Sequence, residues 1–134
     1  MLLRTSFLVS IPLSLALWVG AAQAQTTPAQ QAAAFAAQSG QPAQVEAGKE
    51  FFTSKHGKDW SCSTCHTANP TVQGKHATTG KVIEPMAPAA NPKRFTDAAK
   101  TEKWFRRNCN DVVSRECTPA EKANVLTWLL SLKP

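Results

Sequence analysis

The sequence predicts an all-α fold. Three observations lead to this class: apolar residues recur at helical spacing in several segments, cap residues and prolines mark helix starts, and no segment alternates apolar and polar residues as a strand would. The chain has 134 residues, which is enough for one domain with a modest hydrophobic core.

The chain begins with a pattern typical of an export signal. Arg4 precedes an apolar run over residues 7–20, and an Ala-Gln-Ala cleavage site follows at residues 22–24. The apolar run is short for a membrane span, so no stable membrane insertion is expected. We therefore predict a signal peptide at residues 1–24 and a periplasmic location for the remainder.

Residues 25–42 form a predicted N-terminal arm that precedes the main domain, residues 43–134. Thr27 and Pro28 mark the start of a short helix in the arm, and Gly40 marks its end. The segment is rich in Ala and Gln and has few large apolar side chains. We expect it to bury little surface and to dock loosely.

The first helix of the main domain is predicted from residue 43 to about residue 55. Val45, Gly48, Phe51 and Phe52 recur there at helical spacing. Because Gly48 has no Cβ, it would allow the backbone of a neighbouring element to approach closely.

Residues 57–93 contain many glycines and prolines and are predicted to form a long loop. A loop of this length is unusual in a compact domain unless it wraps around something. A bound cofactor would explain it.

Two more helices complete the prediction. The first begins after Thr96 and Asp97 and runs to about residue 108, and the last begins after Thr118, with Pro119 at its first position. The candidates for the inner face of the former helix are Ala98, Ala99, Trp104 and Phe105. The latter helix carries the apolar residues Val125, Leu126, Trp128, Leu129, Leu130 and Leu132.

The motif Cys62-Ser63-Thr64-Cys65-His66 predicts a covalently bound haem c. The two thiols can add to the vinyl groups of one haem, and the imidazole of His66 can then bind the iron as the proximal ligand. A redox dithiol would need a βαβ pattern, and a zinc site would need a second pair of ligands; neither pattern is present in the sequence. A haem would also enlarge a small core.

The second cysteine pair, Cys109 and Cys117, has no adjacent histidine. In an oxidising compartment this pair is expected to form a disulfide. The bond would close a short loop and contribute about 2 to 3 kcal/mol to stability.

The chain is basic, with a net charge of +6, which falls by one if the segment containing Arg4 is removed. After export, nucleic acid is not an expected partner, whereas an acidic protein would suit the charge. A simple solvated surface is the alternative interpretation, because the lysines and arginines are spread from Lys49 to Lys133.

The residues alone leave the sixth iron ligand open. Met86 would give a closed low-spin electron carrier, or it would simply fill a gap beside the haem. His76 would also give a closed carrier, although it and His56 lie in polar stretches that favour exposure.

Several stretches resemble one known family. They are residues 80–85 (GKVIEP), 91–97 (NPKRFTD), 102–105 (EKWF), 108–112 (NCNDV) and 117–123 (CTPAEKA). Together with C-x-x-C-H they span most of residues 43–130. The chain resembles the Sphaeroides haem protein family, of which cytochrome c″ is a close relative.

The resemblance implies a variant of the class I cytochrome c fold, with helices and long loops around one covalent haem. It implies that Asn108 is the sixth ligand, where cytochrome c″ has a histidine, and that Cys109 and Cys117 are joined. Asparagine is also common at helix C-termini, so Asn108 would suit a capping role as well. Met86 departs from the family pattern, which is aliphatic at this position, and would compete for the iron.

The family also implies a function. Its members lose the sixth ligand on reduction, bind small diatomics such as oxygen or nitric oxide, and accept electrons from another c-type cytochrome, often a dihaem one. The chain has no evident proton-delivery residues beyond Lys and Arg, so an electron-transfer and ligand-binding protein is expected rather than a dedicated enzyme.

Overall fold

A computed structural model of the chain describes residues 25–134, and the predicted signal peptide at residues 1–24 lies outside the described residues. The described part contains five α-helices and one short hairpin, which confirms the all-α class. The elements are α1 (Pro28–Ser39), α2 (Val45–Thr53), α3 (Cys62–His66), β1 (Gly74–Lys75), β2 (Val82–Ile83), α4 (Ala98–Val113) and α5 (Pro119–Ser131).

Helix α5 is the centre of the fold, and α1 and α2 pack closely against it. Its start follows the predicted pattern: the Thr118 side chain accepts from the backbone N–H of Glu121, and the Glu121 side chain accepts in return from the N–H of Thr118. The buried apolar side chains of α5 are those of Ala123, Val125, Leu126, Trp128 and Leu129. They form the two hydrophobic clusters of the core.

The crossing of α2 and α5 depends on Gly48, as the sequence predicted. A Cβ at this position would collide with the backbone carbonyl group of Asn124. The Asn124 side chain also accepts a hydrogen bond from the N–H of Gln44, just before α2, at 2.7 Å. Backbone contact therefore fixes how the two helices cross.

Helix α1 is better anchored than its composition indicated, and the expected loose docking is wrong. Ala32 and Phe35 are buried against α5, and the Phe35 ring meets Phe105 of α4 edge-on at 5.9 Å between centroids. The Gln31 side chain donates to the Phe95 carbonyl oxygen at 2.8 Å. One large apolar residue and one buried amide are enough to attach the helix.

Helix α4 is longer than predicted and presents a different face. It continues past Asn108 to Val113 and ends at Ser114, which has a left-handed backbone (φ 63°). Its buried side chains are Thr101, Cys109 and Val112, whereas Trp104 is 45% exposed. Ala98 and Ala99 are exposed too, so of the predicted inner face only Phe105 packs against the core.

The backbone of helix α4 stays further from the neighbouring helices than the backbones of α1 and α2 do from α5, so α4 contacts them mainly through its side chains. Lys122 of α5 is nearly buried, and its Nζ lies 2.6 Å from a carboxylate oxygen of Glu102 in α4. The same ammonium group lies over the rings of Phe35 and Phe105, at 5.2 and 6.0 Å from their centroids. A single lysine therefore links α1, α4 and α5.

The predicted long loop contains short elements that the sequence did not reveal. Helix α3 has one turn, and β1 and β2 pair over two residues each, with Gly74 opposite Ile83 and Lys75 opposite Val82. Segments this short give no periodicity to detect. Among residues 25–134, no helix is long and apolar enough to cross a membrane.

Candidate haem-binding site

Helix α3 brings the three residues of the C-x-x-C-H motif together. Its single turn places Cys65 and His66 three and four residues after Cys62, which puts all three side chains on the same side. Ser61 begins the helix: its N–H donates to Thr64 Oγ1 at 2.9 Å, and its carbonyl oxygen accepts from the Thr64 N–H at 3.1 Å. Cys62 and Cys65 are free thiols and are half-buried.

The imidazole of His66 is positioned as a neutral base. Burial, and secondarily the charge of Arg94, lowers its pKa from 6.5 to about 4. Its Nδ1 is buried and has no hydrogen-bond partner among residues 25–134. The ring lies beside Phe52 of α2, with centroids 6.1 Å apart. An uncharged imidazole held against an aromatic ring is suited to binding a metal ion.

Arg94 is a residue near the motif that the sequence reasoning did not single out. Its Nε donates to the Pro85 carbonyl oxygen at 2.9 Å, and its Nη2 donates to that of Glu84 at 2.6 Å. Within residues 25–134 its guanidinium has no carboxylate within ion-pair distance. It therefore places a positive charge beside His66, and burial lowers its own pKa.

The thiol of Cys62 is kept protonated by its surroundings. Burial raises its pKa from 9.0 to about 11. The side chain packs against the cluster of Phe52, Val125, Trp128 and Leu129. The motif is thus built directly onto the core.

The hairpin formed by β1 and β2 covers Cys65. A Cβ on Gly74 would collide with the carbonyl group of Cys65 and lie 3.0 Å from the His66 Cα. The N–H of Ala77, in the turn, points to the sulfur of Cys65 at 3.4 Å. Sequence reasoning missed this contact, and the isolated glycine at position 74 was the feature that could have predicted it.

Asn108 lies near the end of α4, half-buried, on the border between the core side and the solvent side of the helix. Asp111, one turn further on, lines an open cavity of about 640 Å³ together with residues 57–60, which lead into α3. Residues three apart are neighbours on a helix surface, so the Asn108 side chain lies next to that of Asp111, although Asn108 itself does not line the cavity. Because the helix ends at Ser114, Asn108 is not its C-cap.

The second cysteine pair lies where α4 leads into α5. Cys109 is in α4 and Cys117 immediately precedes Thr118; their Cα atoms are 5.6 Å apart, a separation that suits a disulfide. Both residues are almost completely buried. Cys109 faces the core while its neighbour Asn108 does not.

The other candidates for the sixth ligand have contacts of their own, and Met86 packs against the same cluster as Cys62. The Met86 side chain packs against the cluster that contains Phe52 and Trp128. His76 Nδ1 accepts hydrogen bonds from the N–H groups of Thr78 and Thr79 in its own turn, both at 3.2 Å. A ring nitrogen of His56 lies 2.7 Å from the Phe51 carbonyl oxygen.

Comparison with known proteins decides the family. Residues 38–129 match the family described as a domain of unknown function (DUF1924). Cytochrome c-type protein SHP of Cereibacter sphaeroides is 51% identical over 108 residues, covering 78% of this chain and 83% of that protein. The chain belongs to the SHP and cytochrome c″ family. Cytochrome c″ of Methylophilus methylotrophus is 48% identical over 88 residues, which cover 63% of this chain and 61% of that protein.

Solved structures of the family share the fold. Oxidised SHP, described as an oxygen-binding cytochrome c, superposes with a TM-score of 0.76 at 49% identity and covers 81% of this chain and 99% of that one. Oxidised cytochrome c″ of Methylophilus methylotrophus superposes with a TM-score of 0.71 at 37% identity and covers 80% and 95%, respectively. The class I cytochrome c-like architecture expected from the resemblance is thereby confirmed.

As a member of this family the chain is a monohaem c-type cytochrome that binds haem c covalently. The residues of the site fit that cofactor. Two free thiols stand one helical turn apart, and beside them a buried neutral imidazole has an unpaired Nδ1. Among residues 25–134, no group of three or more His, Cys, Asp or Glu side chains is arranged to hold a metal ion, so α3 does not have the ligand set of a zinc site.

Proposed function

We propose that this cytochrome is a periplasmic protein that uses Asn108 as the sixth ligand of the oxidised haem and releases it on reduction. The electron comes from another c-type cytochrome, and a small diatomic such as oxygen or nitric oxide binds where Asn108 has left. SHP, an oxygen-binding cytochrome c, supports this proposal through its 49% identity over most of the chain.

The haem is held by α3 in this proposal. Cys62 and Cys65 form the two thioether bonds, and His66 is the proximal ligand. When bound, haem would supply an iron that changes between the ferric and ferrous states. The low pKa of His66 keeps its imidazole free of a competing proton at neutral pH.

The observation that carries the proposal is the place of Asn108 on α4. Its side chain is half-buried one helical turn before Asp111, which lines the cavity, whereas the next residue, Cys109, is buried in the core. The proposed disulfide between Cys109 and Cys117 would then fix the helix turn that presents the amide.

The chemistry of the amide gives the redox dependence. A carboxamide oxygen is a hard, neutral and weak donor, and therefore binds ferric iron better than the softer ferrous ion. Reduction of the iron would therefore favour release of the Asn108 amide. Helix α4, which approaches its neighbours mainly through side chains, allows the amide to withdraw without breaking close backbone packing.

A closed electron carrier with Met86 or His76 as sixth ligand is the competing function. The hydrophobic packing of Met86 supports its role as a core residue. The two backbone N–H groups that donate to His76 Nδ1 hold that ring within its own turn.

Optical spectra of the purified ferric and ferrous protein, with and without carbon monoxide, test the proposal. We expect a ferrous high-spin spectrum that shifts when carbon monoxide is added. A ferrous spectrum that stays low-spin and does not respond to the gas would establish the closed carrier instead.

A further inference from the structure

We infer that the cationic face of α4, formed by Lys100, Lys103, Arg106 and Arg107, is the docking surface for an acidic electron-donor protein. The inference rests on the proposed function and adds the place where the donor binds. All four side chains are exposed and lie within eight residues of sequence.

The four cations have no local partner. The two ion pairs found among residues 25–134 join Arg115 to Glu121 and Lys122 to Glu102, so none of the four is neutralised. The only acid between Lys100 and Arg107 is Glu102, and it is engaged with Lys122. Like charges on one helix repel, so the cluster costs some helix stability.

The helix dipole does not account for the cluster. Cations are favoured in the last turn of a helix, but α4 extends to Val113 and has no basic residue in its last turn. Lys100 lies in the first turn, where the dipole opposes a positive charge. A favourable interaction with the helix dipole therefore does not explain why these four cations are present on α4.

The position of the face links it to the site. Trp104, 45% exposed, borders the cationic residues; the guanidinium of Arg107 lies 5.6 Å from its ring centroid, and Asn108 follows one turn later. A partner on this face would therefore sit beside the helix segment that carries Asn108. Opposite charges on the two surfaces would speed the encounter.

Charge complementarity favours an acidic protein over a membrane. A helix that binds lipid needs an apolar face as well as cations. Three apolar residues of α4, namely Phe105, Cys109 and Val112, are directed into the protein. The exposed apolar residues Ala98, Ala99 and Trp104 offer little surface to a bilayer.

The test compares two variants with equal loss of charge. In the first, Lys100, Lys103, Arg106 and Arg107 are all replaced by Gln. In the control, four exposed lysines outside α4 are replaced by Gln: Lys49, Lys55, Lys81 and Lys133. Reduction of each ferric protein by a pre-reduced acidic c-type cytochrome is followed by stopped flow over a range of salt concentrations.

We expect the α4 variant to be reduced at least about tenfold more slowly at low salt, with a weaker salt dependence, and the control to stay within about twofold of wild type. Hexaammineruthenium(II), a small cationic reductant, should reduce the α4 variant at least as fast as wild type, which checks that its haem site is intact. An equal decrease in the control, or an unchanged rate in the α4 variant, would overturn the inference.

Binding to phosphatidylglycerol vesicles is measured in parallel. If the α4 variant loses vesicle binding but keeps the wild-type rate with the acidic cytochrome, the face binds lipid and the inference is wrong. Carbon monoxide binding by the wild-type ferrous protein is independent of these rates. A wild-type protein that binds the gas while the rates fail to change would therefore refute the docking face and leave the proposed function standing.

Discussion

The backbone of Gly74 in β1 lies directly against the carbonyl group of Cys65 in α3. Contact between a strand and the haem-binding turn leaves no space for a side chain at position 74. The hairpin and the C-x-x-C-H motif therefore have to fold as one unit.

Replacing Gly74 with Ala should disturb the attachment of haem. The added Cβ would collide with Cys65 and press on the backbone of His66, so the three motif residues would be displaced. We expect a lower haem content per polypeptide and a lower melting temperature, measured by pyridine haemochrome assay and circular dichroism. Gly80→Asn, at a left-handed position in the same hairpin, is the control and should keep its haem.

Replacing Asn108 with Ala should open the ferric haem to added ligands. Without the amide, cyanide or imidazole meets no internal competitor, and its affinity should increase by about tenfold or more, which corresponds to the loss of a weak bond of about 1.4 kcal/mol. Titration followed by absorbance measures the affinity.

Asn110→Ala is the matched control for that variant. Asn110 is exposed on the same helix, and its side chain donates to the Arg106 carbonyl oxygen at 2.8 Å. The control should bind ligands as wild type does. If the Asn108 variant and wild type bind the added ligands with equal affinity, Asn108 is not an iron ligand.

Removing the proposed disulfide should destabilise the protein. With Cys109 and Cys117 both replaced by Ala, the unfolded chain regains the freedom of the closed loop, which costs about 2 to 3 kcal/mol of unfolding free energy. Urea unfolding measures the difference. Dithiothreitol should lower the unfolding free energy of wild type and leave that of the double variant unchanged. If the reductant does not change the stability of wild type, and the double variant is as stable as wild type, the disulfide is absent.

The stability of the start of α5 should depend on pH. The pKa of Glu121 lies below its ordinary value of 4.5, first because its carboxylate accepts hydrogen bonds from Arg115, at 2.6 and 2.8 Å. Because the folded pKa is depressed, the stabilisation is fully present above about pH 4.5 and is lost as the pH falls through the folded pKa.

Glu121→Gln should therefore be less stable than wild type at neutral pH, and the gap should narrow at an acid pH well below 4.5. Chemical denaturation at the two pH values measures it. Glu116→Gln, at a neighbouring exposed site without an ion pair, should show no such convergence. A gap that persists in acid would mean that Glu121 acts through packing and not through its charge.

Local sequence patterns predicted the elements whose determinants are local. The start of α5 follows from Thr118, Pro119 and Glu121, and the crossing of α2 follows from Gly48. The end of α4 depends on distant contacts, because Cys109 and Val112 find buried positions that continue the helix beyond Asn108. The prediction that α1 docks loosely was wrong, because Phe35 stabilises the helix only through its contacts with residues of α4 and α5.

The residues of the site also differ in how well the local sequence predicts them. The haem motif is contiguous, so spacing alone identified Cys62, Cys65 and His66. No spacing rule relates Asn108 to that motif, and its proposed role rests on the family resemblance. The contact of the hairpin with Cys65 and the position of Arg94 arise from tertiary packing, which a single sequence does not reveal.

The raised pKa of Cys62 has a consequence for how the protein is assembled. The four cysteines of the chain have two different fates, since one pair is proposed to bind the porphyrin and the other to form a disulfide. Only a thiolate attacks another sulfur, and at a pKa of about 11 the folded chain keeps almost none at Cys62. Attack by Cys62 on another sulfur in the folded chain is thus suppressed by the same apolar contacts that support the core.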